Sequence, residues 1–352
     1  VGLRGKGIPS LRNDGTVKVR PICVPEALMS LATKALVRAN YDDIVRVART
    51  TRNNGAGTPC GTEITAICAA AHLSAHPDHC LIMLDKANAF NTIPRWAIAE
   101  GLKHFELQMF EPMFDLLYRG ELKVEFTDDS GGKHTQPILT GVMQGHGLSS
   151  IFYIIAQWWM TRSLAKDHPN VTELQYADDS TIGCKPDDGF ALLKDMCGIL
   201  NPQGLRIQPD KTQVLVGPTI SAEDHEKIVQ HLLANGFRNR AAAEAAIVKG
   251  AVIVGVPIGE RAFIEKTLAD KVAETRRICD DLLKLARMAD CLSTCKDILY
   301  RIHTVLKLSV NARCTHLSRT ISTDIFIKPA REHDNIIYET AMQLYEIGRA
   351  HV

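Results

Sequence analysis

The chain has 352 residues, 45% of them hydrophobic, with 41 Lys and Arg against 40 Asp and Glu and a formal net charge of +1. That length suits one large domain or two to three subdomains. No apolar run approaches a membrane span, no secretory leader opens the chain, and ten scattered cysteines fit a reducing compartment rather than a disulfide framework. Val1 in first position reads as a processed chain or a fragment.

The small net charge hides an uneven distribution. Residues 1–53 carry ten Lys/Arg against four Asp/Glu (+6), and residues 261–319 carry twelve against seven (+5), which leaves −10 for the rest. Basic flanks around an acidic centre suit a protein that holds a polyanion and gathers cations in the middle. Lys and Arg also decorate most solvated helices, so charge alone does not decide.

In chain order, a turn at Asn13-Asp14-Gly15 precedes a short strand in VKVRPI. Residues 26–52 carry Leu28, Leu31, Ala32, Ala35, Leu36 and Ala39 at helical spacing. NNGAGTPCGTE is a Gly/Pro/Asn loop, and a helix starts at Thr62-Glu63 and runs through His72. His72, His76, His79 and Cys80 gather at its end, where a solvated or core-edge role is the reading. Leu81–Leu84 is a buried strand ending in Asp85. A helix begins near Asn91-Thr92-Ile93-Pro94, with Thr92 as N-cap and Pro94 in the first turn. A hairpin centres on Asp128 to Gly132, and TGVMQGHGLSS is a Gly-rich loop feeding a long apolar helix. ELQYADDSTIG reads as strand, turn, strand, followed by a helix in LLKDMCGILN, strands in GLRIQPDKTQVLVG and a strand pair in KGAVIVGVPIG. From Arg261 onward the pattern is almost wholly helical, including PAREHDNIIYETAMQLYEIGRAHV. Cys291, Cys295 and His303 lie within it but lack a fourth zinc ligand. The whole is a mixed α/β (α+β) chain.

Asp178 and Asp179 pose the chemical question, since adjacent like charges cost energy unless something absorbs them. A solvated turn is one answer and a hard-cation site the other. Asp85, at the end of a buried strand, completes a three-carboxylate set. Strand alternation lets only one of Asp178 and Asp179 face Asp85 unless the turn bends the backbone. Carboxylates on adjacent strands can bridge two Mg²⁺ ions about 3.5–4 Å apart.

Five segments in order, LDKANAF, GVMQGHGLSS, QYADD, GLRIQPDKT and VGVPIG, resemble the motif series of reverse transcriptases, most of all the polymerase domain of site-specific non-LTR retrotransposons. VRPICVPEALMSLATKAL resembles the basic fingers segment of that family and CTHLSRTIS a stretch beyond its thumb, so the resemblance runs from about residue 5 to 325. It implies a right-hand polymerase with fingers and palm in 1–259, a helical basic thumb in 260–325 and a truncated C-terminal helical extension in 326–352. It also implies roles. Asp85, Asp178 and Asp179 match the catalytic carboxylates and, with the backbone carbonyl of Lys86, the ligands of two Mg²⁺ ions, for which Mn²⁺ can substitute. Lys211 matches the general acid for pyrophosphate. Arg20, with Lys18 assisting, matches the clamp on the triphosphate. Phe90 matches the aromatic that rejects a 2′-hydroxyl. Gln144 and Gly145 match the loop at the incoming nucleotide, and Tyr176 and Ala177 the residues near the primer terminus.

The implied partners are an RNA template, a DNA primer and dNTPs, with no membrane and an oligomeric state the sequence leaves open; nuclear action follows from the family alone. Gln144-Gly145-His146-Gly147-Leu148-Ser149-Ser150 stands where the family commonly has Gln-Gly-Asp-Pro-Leu-Ser-Pro, which should loosen the loop. Two rivals remain: an RNA-directed RNA polymerase, against which Phe90 argues, and a catalytically silent nucleic-acid-binding module, against which the intact carboxylates and Lys211 argue.

Overall fold

The computed structural model of the chain describes residues 2–4, 19–21, 27–120, 122–127, 131–208, 211–289 and 295–349. Packing divides the chain into two units, Val1–Thr65 with His72–Val248, and Lys249–Val352 with Ala66–Ala71.

The first unit is built on a five-stranded sheet with Cys80–Leu84 at its centre. Asp179–Cys184 and Gln213–Val216 flank that strand antiparallel on either side. Thr172–Tyr176 lies outside the former, also antiparallel, and Ile247–Val248 outside the latter, parallel. The central strand is apolar at consecutive positions because both of its faces are covered. Helix Ser149–Thr161 is apolar almost all round, packs beside Arg95–His104, and buries Phe152, Ile154 and Ile155 with Ile98 and Leu102 in the main core. Two further hairpins, Gly2–Arg4 with Val19–Pro21 and Leu122–Thr127 with Lys133–Ile138, stand apart from this sheet.

Several elements differ from the sequence reading. The helix expected over 26–52 is two, Ala27–Ala39 and Tyr41–Thr51. Asn40 divides them because its side-chain amide and its backbone N–H both donate to the Leu36 carbonyl, at 2.8 and 3.2 Å, closing the first helix. Thr92 is not an N-cap: it ends a single turn, Ala89–Thr92, and its hydroxyl turns back to the Asn88 carbonyl. Pro94, extended at φ −71°, is instead the residue before Arg95–His104. Two helices, Ala222–Ala234 and Arg240–Ala246, add to the sequence reading; Ser221 and Asp224 carry the start signal of the first, and the Ser221 hydroxyl accepts from the Asp224 N–H at 2.9 Å. The Asn13-Asp14-Gly15 turn and Cys291 lie outside the described residues.

The second unit opens with a tight hairpin, Gly250–Ile253 with Val256–Gly259. Helices Arg261–Ala289, Cys295–Val305 and Thr323–Arg349 follow, with irregular helical turns between the last two. The first and last of these pack together over a separate core that includes Val272, Leu283, Ile302, Leu306 and Ile336. No helix of the described residues is long and apolar enough to cross a membrane.

Candidate active site

Asp85 immediately follows the central strand, and Leu84 pairs with Ser180 on the neighbouring one. One further step of that register sets Asp85 opposite Asp179. Tyr176 pairs with Asp179, so Ala177 and Asp178 are the two-residue loop of the hairpin. Ala177 adopts φ +51°, the left-handed region that hairpin turns need and that an L side chain enters reluctantly. The bend relieves the alternation limit at this point: Asp178 is a loop residue, half-buried, and Asp179 opens the strand, exposed.

Something must hold Ala177 there, and the 53–55 loop does. The Asn53 side chain accepts from the Ala177 N–H at 2.8 Å and donates to the Ala177 carbonyl at 2.9 Å. Its oxygen also accepts from the Gly55 N–H at 3.0 Å. Asn53 is 1% exposed, so these bonds form where no water competes. A Cβ on Gly55 would lie 2.2 Å from the Ala177 nitrogen, so only glycine lets the loop close against the turn. Beneath the hairpin, Gln175 accepts from Gln157 at 2.9 Å and donates to Glu173 at 2.9 Å.

Lys86 supplies the counter-charge. Its ammonium, 5% exposed as a residue, donates to the Asp178 carbonyl at 2.8 Å and to the Ser180 hydroxyl at 2.6 Å. Burial pulls its pKa down to about 8, against the opposing pull of Asp178, Asp179, Glu173 and Asp85. At neutral pH it is therefore charged, and Asp178 acts on it more strongly than the other carboxylates do. Lys211, two residues before the neighbouring strand Gln213–Val216, pairs with the Asp85 carboxylate at 3.0 Å, both side chains nearly half exposed.

Phe90 enters from the turn after Asp85. Its carbonyl accepts from the Val142 N–H at 2.7 Å, which brings the 140–148 loop alongside. Gly145 in that loop has φ +103°, and Gln144 beside it is half-buried. The loop is tied rather than loose, and the residue that ties it is His146. His146 is 4% exposed; its Nδ1 accepts from the Leu148 N–H at 3.3 Å, which leaves Nε2 to donate to the Thr33 hydroxyl at 3.2 Å. Burial lowers its pKa, keeping it neutral in that role. The Ser149 hydroxyl donates to the Met143 carbonyl at 2.6 Å and closes the loop's base.

The series of segments has a counterpart in known proteins. The family model described as reverse transcriptase (RNA-dependent DNA polymerase) matches residues 11–243. The chain belongs to the reverse transcriptase family. A curated relative, the retrotransposable element SLACS 132 kDa protein of Trypanosoma brucei gambiense, is 30% identical over 142 residues, a stretch covering 38% of this chain and 12% of that protein. Among solved structures, apo telomerase from Candida tropicalis matches over 94% of this chain and 67% of its own, at 12% identity and a TM-score of 0.44. Telomerase from Candida albicans in complex with a TWJ fragment of telomeric RNA matches over 92% and 53%, at 15% identity and a TM-score of 0.42.

In this reverse transcriptase the mixed helix-and-sheet fold brings Asp85, Lys86, Asp178, Asp179 and Lys211 to one end of the central strands, with Tyr176 and Ala177 in the same hairpin. Arg20 is placed in the Val19–Pro21 strand opposite Leu3, and Lys18 lies outside the described residues. Among the described residues no three His, Cys, Asp or Glu side chains are grouped so that they alone could hold a metal ion. The donors present are hard carboxylate oxygens, and Mg²⁺ is usually held by one or two of these with substrate phosphates completing its shell, so the set fits that ion. Sequence reasoning missed Asn53 and Gly55. Both carry a signal in Asn53-Asn54-Gly55, a turn-forming run.

Proposed function

We propose that this chain extends a primer with dNTPs on an RNA template, in the service of retrotransposition in the nucleus. The observation that carries the reading is the convergence of Asp85 with the Asp178–Asp179 turn, with Lys86 beneath and Lys211 reaching across. Asp85 and Asp178, helped by Asp179 and the Lys86 carbonyl, would hold two Mg²⁺ ions, or Mn²⁺ in their place. Bound there, such cations would acidify the primer 3′-hydroxyl and stabilise the leaving pyrophosphate. The 3′-hydroxyl gives up its proton to solvent, its oxygen forms a bond to the α-phosphorus as the bond to pyrophosphate breaks, and Lys211, released from Asp85, gives its proton to that leaving group. Arg20 and Lys18 hold the triphosphate, Gln144 and Gly145 lie along the nucleotide, and Tyr176 and Ala177 meet the primer end. Phe90 stands where a 2′-hydroxyl would be, which favours dNTPs over the rNTPs of an RNA-directed RNA polymerase. Residues 260–325 act as a basic helical thumb that follows the duplex by its phosphates.

Primer extension on an RNA template with dNTPs and Mg²⁺ tests this, beside Asp178→Ala and an rNTP lane. Extension with dNTPs alone, lowered at least about a hundredfold in the variant, is the expected result. Chelation of Mg²⁺ should abolish extension and leave helical circular dichroism unchanged. A folded chain that binds primer–template but never extends it would point to a silent module.

A further inference from the structure

A gate that works by clash is only as selective as its wall is stiff. Phe90 is only half-buried. Side chains yield by some tens of degrees at small cost, and an unsupported ring would turn aside from a ribose. The support comes from Tyr153, whose ring stacks on Phe90 with centroids 4.9 Å apart and planes inclined by 29°. Tyr153 is fully buried, on the helix that opens directly after the Gln144–Leu148 loop. Its own ring therefore has nowhere to retreat.

We infer that Tyr153 is a positioning residue for sugar selection: it stiffens Phe90 from behind. The inference rests on Phe90 acting as the gate. A second observation supports it. The Tyr153 hydroxyl is buried without a hydrogen-bond partner among the described residues, an arrangement that costs stability and that a simple space-filling phenylalanine would avoid. Burial first, then the charges of Asp178 and Asp179, hold that hydroxyl protonated.

The test compares dGTP with GTP opposite a templating cytosine, for the unaltered chain, Phe90→Ala, Tyr153→Met and Tyr153→Phe. Selectivity is read twice, as the ratio of kcat/KM values and as competitive binding to a stalled complex on a dideoxy-terminated primer, which needs no turnover. Tyr153→Met, smaller and flexible, should lower the preference for dGTP roughly two- to tenfold. Tyr153→Phe keeps the ring and should keep the preference, with an unchanged or raised melting temperature. If Tyr153→Met fails to fold, Tyr153→Leu replaces it. An unaltered preference in the Met or Leu variant, with the preference lost in Phe90→Ala, would overturn the role of Tyr153 and leave the gate standing. An unaltered preference in Phe90→Ala would overturn the gate itself.

Discussion

At the scale of single residues, Lys86 shows how a site tolerates crowded carboxylates before any cation arrives. A buried ammonium is costly, and the fall of its pKa to about 8 records that cost. Replacing Lys86 with Met would remove the penalty but leave the buried Ser180 hydroxyl without its 2.6 Å donor and the Asp178 carbonyl without its tether. The first change stabilises by about as much as the second destabilises, so net stability should move by less than about 2 kcal/mol. The turn, however, is freed. Lys86→Met should therefore lower the extension rate strongly while its melting temperature stays within a few degrees, a split that melting curves beside primer extension would reveal. The carboxylates were legible in the sequence because paired acids are conspicuous. The Lys86 side chain was not, since a lysine next to a catalytic position reads as solvated until tertiary structure shows its burial.

At the scale of elements, the catalytic hairpin is a composite of its own two strands and a distant loop. Gly55→Ala would press a methyl group to 2.2 Å from the Ala177 nitrogen, against backbone that cannot step aside. The expected cost is about 2–3 kcal/mol of stability with a larger loss of extension, measurable by denaturant titration and kinetics. At the opposite end of the central strand, the rings of His72, His76 and His79 gather with centroids 4.6–5.2 Å apart. Burial, then the neighbouring His79 and His76, lower the His72 pKa to about 4, below its unfolded value of 6.5. His79 is also lowered, chiefly by burial, with Asp78 and Asp188 opposing and Lys185 assisting. Between pH 4 and 6.5 the unfolded chain binds more protons than the folded one, so stability is complete above pH 6.5 and falls as pH drops through that window. After allowance for solvent, the loss from His72 is on the order of 1 kcal/mol. His72→Asn should flatten that part of a melting-temperature profile taken from about pH 7.5 to 4.5. The strand Leu81–Leu84, the hairpins and the apolar helix were legible because period and turn chemistry agree there. The break at Asn40 was not, because a side-chain bond to Leu36 overrides an unbroken helical pattern.

At the scale of the whole molecule, charge placement matters more than charge total. Lys266, Arg277 and Lys284 are exposed on helix Arg261–Ala289. Separations of 11 and 18 residues correspond to about three and five full turns, which lines the three along one face. In the proposed thumb this stripe would run beside the phosphates of a duplex. The triple variant Lys266→Ala, Arg277→Ala, Lys284→Ala should weaken primer–template binding on all sequences alike. It should also flatten the dependence of log K on log salt by about 0.9 for each phosphate that is no longer neutralised. Binding isotherms between about 50 and 200 mM salt would show it, and an unchanged slope would remove the stripe from the interface.

The bond between Asn53 and Ala177 joins positions 124 residues apart. Closing so long a loop is entropically expensive and kinetically late. During synthesis the 53–55 loop leaves the ribosome well before the hairpin it will clasp, and must wait for it. Ala177 has no local reason to hold its left-handed turn in the meantime. The catalytic hairpin is therefore expected among the last parts of its unit to mature, so a nascent or partly folded chain carries its acidic residues without yet being an enzyme.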